Sequence, residues 1–347
     1  MVRDESARRF IIAWLSCVIG LVLSMIVLGG VTRLTDSGLS MVDWRPVTGW
    51  LPPLTESAWQ AEFAKYKTFP EYEKINRGMN LGEFKLIFAY EFAHRVLGRL
   101  IGLAYAVPLF YILARGWVRA DLGWRLIALL FLGGSQGVVG WWMVKSGLVD
   151  RPDVSHYRLA VHLTLALVIM CAITWVWLTI HKRSGEFKPL TLNLGMILTA
   201  TVFLQVISGA FMAGLDAGLT YNTWPLMDGQ LIPEHYWRHA PVWLAPLEHI
   251  TAVQLNHRMG AYAVLAFAIY LYWKTGRSNN ANPWAIIVLK IVLAQGILGV
   301  MTLLYVVPII LGALHQFGAA LVLICCVCYW HYSVYGAPDQ KTLLTEE

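Results

Sequence analysis

The sequence predicts an all-α polytopic membrane protein with eight transmembrane helices, arranged as two pseudo-symmetric four-helix bundles. Of its 347 residues, 57% are hydrophobic and 14% are charged, and the mean hydropathy is +0.56. This composition provides too little polar surface for a soluble globule of that size, whereas a lipid-facing protein needs little of it. The apolar segments do not alternate with period two, so helices rather than a barrel are expected to satisfy the backbone in lipid.

Eight apolar segments have the length of about 20 residues that is needed to cross roughly 30 Å of hydrocarbon. They are residues 10–31, 85–113, 123–144, 158–180, 190–213, 254–273, 284–305 and 310–334. Lys and Arg collect in the N-terminus and in the connections after the second and fourth segments, for example Arg3, Arg119 and Arg183. Because cytoplasmic loops are enriched in these residues, both termini are predicted to be cytoplasmic.

The chain is predicted to consist of two related halves, residues 1–184 and residues 185–347. Four pairs of residues recur in the same order in both halves: Asp36 and Asp216, His94 and His257, Gln136 and Gln295, and His162 and His315. The offset falls steadily, because the outer loop 214–253 of the second half is shorter than the outer loop 32–84 of the first. This pattern predicts two four-helix units of the same topology, related by an axis along the membrane normal.

Four histidines lie near the start of the even-numbered apolar segments: His94, His162, His257 and His315. An imidazole in hydrocarbon is unfavourable unless it has a partner. Each histidine is followed four residues later by Gly or Ala, which leaves room for a flat group on the same helical face. Two facing helices that each supply one imidazole are a common arrangement for haem iron. The four histidines predict two bis-histidine haem sites; the alternative is that each only forms an interhelical hydrogen bond.

The two halves differ one turn before the first histidine of each, where Glu91 corresponds to Gln254. A carboxylate can exchange a proton with a reacting group and an amide cannot, so Glu91 is the candidate catalytic residue and the second pocket is expected to relay electrons. The alternative is a salt bridge from Glu91 to Arg95 or Arg99. Arg95 and Arg258 are candidate contacts for haem propionates, because guanidinium groups suit carboxylates. They could equally neutralise Glu91 or extend towards the membrane surface.

The remaining features indicate structure rather than chemistry. All five cysteines lie in apolar segments, which favours structural thiols over disulfides. The net charge of +6 reflects membrane topology and gives no indication of nucleic-acid binding. The segment 51–84 is predicted to be an outer loop with one short amphipathic helix, and the turns at Asp36 and Asp216 are predicted to cap short outer helices.

Several motifs together resemble those of haem A synthases. They are Gly29-Gly30-Val31-Thr32-Arg33-Leu34-Thr35, Glu91-Phe92-Ala93-His94-Arg95, Gln136-Gly137-Val138-Val139-Gly140, Asn256-His257-Arg258 and Leu314-His315-Gln316. The resemblance covers essentially the whole chain. It implies oxidation of the ring C8 methyl group of haem o in two steps, through an alcohol and a hydrate that loses water, to the formyl group of haem a.

The resemblance also implies a role for each histidine. His94 and His162 would be the axial ligands of the substrate haem o, and His257 and His315 those of a permanent haem b, while Glu91 matches a functionally important glutamate. Residues 32–84 contain no cysteine pair, so the chain resembles the branch found in proteobacteria and mitochondria. The absence of an Arg- and Ser-rich presequence favours a bacterial inner membrane over a mitochondrial one.

Two other classes of function fit part of the pattern. A dihaem transmembrane electron-transfer cytochrome b would hold two permanent haems in equivalent pockets, and a haem transporter or chaperone would hold haem only transiently. A haem o synthase, which is a farnesyltransferase, is the upstream partner that the resemblance implies. The sequence leaves open the electron donor, the source of the inserted oxygen, whether the chain forms a homo-oligomer, and the role of His249.

Overall fold

The computed structural model describes residues 1–149, 151–182, 188, 192–237, 241–277 and 281–336. Within these ranges the regular secondary structure is helical apart from two isolated β-bridges, which confirms the predicted all-α class. The predicted boundary between the halves at residues 184 and 185, and the basic residue Arg183, lie outside the described residues.

The described residues contain eleven α-helices, eight of which have 21 residues or more. In chain order they are α1 (Glu5–Leu34), α2 (Glu56–Tyr66), α3 (Pro70–Lys74), α4 (Leu81–Ala114), α5 (Ala120–Lys145), α6 (His156–His181), α7 (Leu194–Gly214), α8 (Ala245–Glu248), α9 (Ile250–Thr275), α10 (Trp284–Leu304) and α11 (Ile309–Tyr335). The eight long helices coincide with the eight predicted apolar segments, and their ends differ from the predicted ends by up to five residues.

Seven of the long helices, all except α9, are long and apolar enough to cross a membrane. The N-terminal half of α9 carries Gln254, Asn256 and Arg258, and these polar side chains lower its hydropathy. The chain is therefore a multi-pass membrane protein.

Helix starts and ends follow local chemistry. The side chain of Asp4 accepts a hydrogen bond from the backbone of Ala7 at the start of α1, and Asn80 and Glu83 form a capping box at the start of α4. The helices α1 and α7 both end just before an aspartate in the left-handed conformation, Asp36 at φ 47° and Asp216 at φ 49°. The matching ends indicate that the repeat extends to backbone conformation.

Helix packing repeats in the two halves. In the first half, α1 and α5 each pack against α4 and α6; in the second half, α7 and α10 each pack against α9 and α11. The helices that carry the histidines therefore stand at opposite corners in each half, separated by the helices that do not carry them. The halves meet where α1 packs against α11 and where α6 packs against α7 and α11.

The outer segment between α1 and α4 is built around aromatic side chains. Phe63 and Tyr66 of α2 pack with Phe84 and Phe88 of α4 in one buried cluster. The segment contains two short helices, α2 and α3, where one was predicted. Pro70 at the first position of α3 explains the break, because its ring cannot continue the preceding helix.

The aspartate turns do not cap outer helices as predicted. Residues 37–40, directly after Asp36, form turns and no helix, and the side chain of Asp216 makes no cap hydrogen bond to the short 3₁₀ helix Ala217–Leu219. Both carboxylates instead bind the guanidinium group of Arg33, each at 2.8 Å. Because Asp36 and Asp216 belong to different halves, Arg33 links the two turns across the junction.

Candidate functional site

Each of the four histidine rings lies directly against a glycine of a neighbouring helix. The closeness is measured by the distance from a Cβ atom built on each glycine to Cε1 of the facing histidine. It is 3.6 Å for Gly29 and His94, 3.0 Å for Gly140 and His162, 3.2 Å for Gly209 and His257, and 2.7 Å for Gly299 and His315. Small residues allow this close approach between helices in a membrane. The four glycines are on α1, α5, α7 and α10, so the packing is the same in both halves.

The structure brings His257 and His315 together. The rings of His257 and His315 have centroids 6.5 Å apart and planes inclined by 77°. A bond from an imidazole nitrogen to a transition metal is about 2 Å long, so this separation leaves room for one metal ion between the rings. His94 and His162 are close enough for electrostatic interaction. All four histidines are half-buried.

Three of the histidines are also bound by a glutamine one turn before the glycine. Nε2 of the glutamine donates to the histidine's own backbone oxygen, at 3.0 Å from Gln136 to His162, 2.8 Å from Gln205 to His257, and 2.7 Å from Gln295 to His315. The same Nε2 lies 3.3, 3.2 and 3.0 Å from the respective Nδ1 atoms. The glutamines therefore fix the orientation of three rings.

The sequence contains a signal for these glutamines, the pattern Gln-x-x-x-Gly, which occurs at 136–140, 205–209 and 295–299. Comparison of the two halves shows that Gln136 and Gln295 are equivalent positions of the repeat, but it gives neither residue a role. It leaves Gln205 unpaired, because the equivalent position in the first half is Met25.

Glu91 lies in a saturated network that joins α4 to the outer loop. One carboxylate oxygen accepts from the Ser40 hydroxyl and from the Met41 backbone N–H, both at 2.7 Å, and the other accepts from Arg95 at 2.6 and 3.1 Å. Arg95 also donates to the backbone oxygens of Met41 and Asp43. The salt bridge considered as the alternative for Glu91 is thus present, and Arg95 has protein partners for all three of its nitrogens.

The second half repeats this network with an amide in place of the carboxylate. Gln254 donates to the backbone oxygen of Ala217 at 2.7 Å and accepts from Arg258 at 3.0 Å. Arg258 donates to the backbone oxygen of Tyr221, the position that corresponds to Met41. Its Nε is buried and has no hydrogen-bond partner among the described residues. The Glu91 and Gln254 positions therefore fasten equivalent outer loops, and they differ in charge.

A second buried carboxyl group lies outside the membrane-spanning helices, close to Glu91. Glu71 is 4% exposed and accepts a hydrogen bond of 2.8 Å from the Tyr66 hydroxyl. The pKa of Glu71 is raised to about 8. Burial is the main cause, the hydrogen bond from the Tyr66 hydroxyl opposes the shift, and the negative charges of Glu91 and Asp36 add to it. Glu71 is thus protonated at neutral pH next to an ion-paired Glu91.

The donor set suits a haem rather than a metal held by side chains alone. No group of three or more His, Cys, Asp or Glu side chains in the described part of the chain is placed to hold a metal ion. A pair of imidazoles provides only two ligands, and a porphyrin supplies the other four in its plane. The unpartnered Nε of Arg258 is a remaining donor for an acidic group at the outer end of the second pocket.

Comparison with known proteins identifies the family. Residues 12–327 match the model of the COX15-CtaA family, described as cytochrome oxidase assembly proteins. The chain belongs to this family. A relative from Bradyrhizobium sp. (strain ORS 278) that is named heme A synthase is 48% identical over 93% of this chain and 90% of its own length. Heme A synthases from Parvibaculum lavamentivorans and Sinorhizobium medicae are 48% and 42% identical over 92% and 98% of this chain, and over 92% and 94% of their own lengths.

Family membership confirms the resemblance found in the sequence. The matched region begins in α1 and ends in α11, so it includes all four histidines and both outer-loop networks. The roles of Glu91, Arg95, Arg258 and the histidines remain predictions from the sequence and the geometry.

Proposed function

We propose that this chain is a haem A synthase that oxidises the C8 methyl group of haem o to the formyl group of haem a for cytochrome oxidase biogenesis. The observation that carries the proposal is the repeated frame of four glycine-packed histidines in a chain 42–48% identical to heme A synthases over nearly its whole length. His94 and His162 would bind the substrate haem o, and His257 and His315 a permanent haem b.

We propose further that the eight long helices cross the membrane as two four-helix bundles, divided as 1–184 and 185–347, with both termini in the cytoplasm of a bacterium. The repeated helix contacts support the two bundles. The basic residues in the N-terminus and in the connections after the second and fourth long helices support the orientation. In that orientation all four histidines lie in the outer half of the membrane, below the outer loops that the Glu91 and Gln254 networks fasten.

In this proposal the protein binds and orients the two haems. A bound haem b would supply one-electron chemistry, and His257 and His315 would hold it and tune its potential. The glycines admit the rings, the glutamines orient three of them, and the outer loops limit access of water from the outer surface. Arg258 would bind a propionate through its free Nε, whereas Arg95 would have to exchange a loop carbonyl for one.

We propose Glu91 as the group that handles protons beside haem o. The second half supplies a reference, because Gln254 fastens the equivalent loop to the equivalent arginine with an amide that accepts from Arg258 and donates to a loop carbonyl. Glu91→Gln removes the charge and keeps an oxygen that can accept from Arg95, but its NH2 group cannot accept from the Met41 backbone N–H as the carboxylate does. Loss of conversion with retained haem binding is expected; full conversion in Glu91→Gln would leave Glu91 with the structural role alone.

The activity is tested in a host that makes haem o but no haem a. Haems extracted from membranes with and without this chain are separated and identified by mass. Haem a, or its alcohol precursor, is expected only with the chain. Two haem b molecules per chain with haem o unchanged would contradict the proposal and indicate a dihaem electron-transfer cytochrome b instead.

A further inference from the structure

One of the four histidine positions lacks the glutamine that the other three share. The residue four positions before the contacting glycine is Gln136, Gln205 or Gln295 on α5, α7 and α10, and Met25 on α1. Among the described residues the ring of His94 has no hydrogen-bond partner. A thioether is only a weak acceptor and cannot donate, so Met25 cannot replace the amide.

Met25 occupies the glutamine's place in space as well as in sequence. Its terminal methyl group lies 3.5 Å from the point where a Cβ on Gly98 would be, and Gly98 is one turn beyond His94 on α4. In the second half, the amide oxygen of Gln205 lies against Gly260 and that of Gln295 against Gly318, each glycine being three residues after the histidine. The second pocket therefore has two glutamines that fit against glycines, and the first pocket has one glutamine and one methionine.

The glutamines have the capacity to strengthen an iron-bound imidazole. When iron binds Nε2, the ring carries its proton on Nδ1 and needs an acceptor there. The amide oxygens of Gln136 and Gln295 are buried without a partner in the described part of the chain, next to the histidine that each glutamine binds. Rotation of the amide would bring this oxygen to Nδ1, in exchange for the hydrogen bond that Nε2 donates to the histidine's backbone oxygen. The described residues offer His94 no such acceptor, because Met25 stands where the amide would be.

We propose that Met25 makes His94 the weakly held axial ligand, so that haem exchanges at the first pocket while the glutamines retain haem at the second. The inference rests on the proposed function, since a substrate must enter and its product must leave, whereas a permanent cofactor stays bound. Met25 is a positioning residue in this proposal. It affects haem binding because it leaves His94 without the hydrogen bond that a glutamine would make.

Haem release from the purified full-length chain tests the proposal. The chain is loaded with ferric haem b as the probe, and release is followed by transfer to excess apomyoglobin. The phase that disappears in His162→Ala belongs to the first pocket. Wild-type protein is expected to release haem in two phases, with the first pocket at least tenfold faster.

Exchanging glutamine and methionine between the two pockets should exchange their rates of haem release. Met25→Gln is expected to slow the first-pocket phase about tenfold, the usual effect of one hydrogen bond to an iron-bound imidazole. Met25→Leu, which is apolar and makes no hydrogen bond, should stay within twofold of wild type. In the second pocket the Ser208 hydroxyl also lies 3.3 Å from Nδ1 of His257, so Gln295 is the residue to exchange. Gln295→Met should accelerate the second-pocket phase about tenfold and raise the midpoint potential of the retained haem, because its imidazole donates less electron density.

If the Met25→Gln and Met25→Leu variants release haem from the first pocket at the same rate, the proposal is overturned. Gln295→Met removes a polar group from the membrane and so provides a second test that does not depend on recovery of Met25→Gln. An unchanged second-pocket phase in this variant overturns the proposal by itself. A chain that converts haem o but releases both haems at one rate contradicts this inference alone. A chain that shows the Met25 effect but makes no haem a contradicts the proposed function alone.

Discussion

The glycine beneath His315 provides the sharpest test of the haem pockets. In Gly299→Ala the new Cβ would lie 2.7 Å from Cε1 of His315, well inside the 3.4 Å at which ordinary contacts begin. The ring would have to move by about 0.7 Å to restore an ordinary contact. It cannot move freely, because Gln295 binds the histidine at Nδ1 and at its backbone oxygen.

The expected loss follows from the cost of overpacking a fitted site, which is about 1–3 kcal/mol. Haem affinity at the second pocket should fall roughly 5- to 150-fold, since about 1.4 kcal/mol corresponds to a factor of ten. The assay is a titration of the purified chain with ferric haem b, read from the low-spin absorbance of the bis-histidine complex. The number of haems per chain is measured independently in extracts.

Matched glycines on the same helices serve as controls. An added Cβ at Gly296, one turn from Gly299, or at Gly137, one turn from Gly140, would meet no atom within 4 Å. Gly296→Ala should therefore leave haem affinity unchanged, as should Gly29→Ala, where the Cβ would lie at an ordinary 3.6 Å from His94. The reasoning is refuted if Gly299→Ala binds haem as tightly as Gly296→Ala.

Three further perturbations have definite outcomes. Because the pKa of Glu71 is about 8 in the fold and ordinarily 4.5, the folded state binds the proton more tightly, and this carboxyl destabilises the fold increasingly as pH rises from about 4.5 to 8. Glu71→Gln should therefore raise the thermal unfolding midpoint more at pH 8 than at pH 5; equal shifts would contradict the burial argument. His257→Ala should contain one haem per chain fewer than wild type in extracts of the purified protein, and retention of both would exclude His257 as an axial ligand. Tyr105→Phe removes a 2.9 Å hydrogen bond to the backbone oxygen of Leu126 between α4 and α5 and should lower stability in detergent by about 0.5–1 kcal/mol, with no change in bound haem as the control.

The apolar segments were predicted well because lipid imposes a strong constraint on each helix by itself. The eight long helices and the order of the four histidines follow from hydropathy and from the repeat, neither of which depends on how the helices pack. The start of α4 was predicted four residues too late, at residue 85. Its first turn begins at Leu81, where the capping box of Asn80 and Glu83 extends the helix into the outer segment.

The outer loops were predicted less well because their contacts join residues that are distant in sequence. The turns at Asp36 and Asp216 had the composition of helix caps, but their carboxylates meet at Arg33 once α1 and α7 end side by side. The contrast between Glu91 and Gln254 was visible in the sequence as a difference in chemistry. Only the structure places both residues in matching networks with an arginine and an outer loop.

The sequence by itself determined the class of the protein, its repeat, its four histidines and its family, because hydropathy, spacing and motif identity are properties of the chain in order. The tertiary structure decided which groups touch each ring: the glycine that admits it, and the glutamine that orients it at three positions and is replaced by Met25 at the fourth. These contacts cross from one helix to another, and their distances depend on how closely the helices pack.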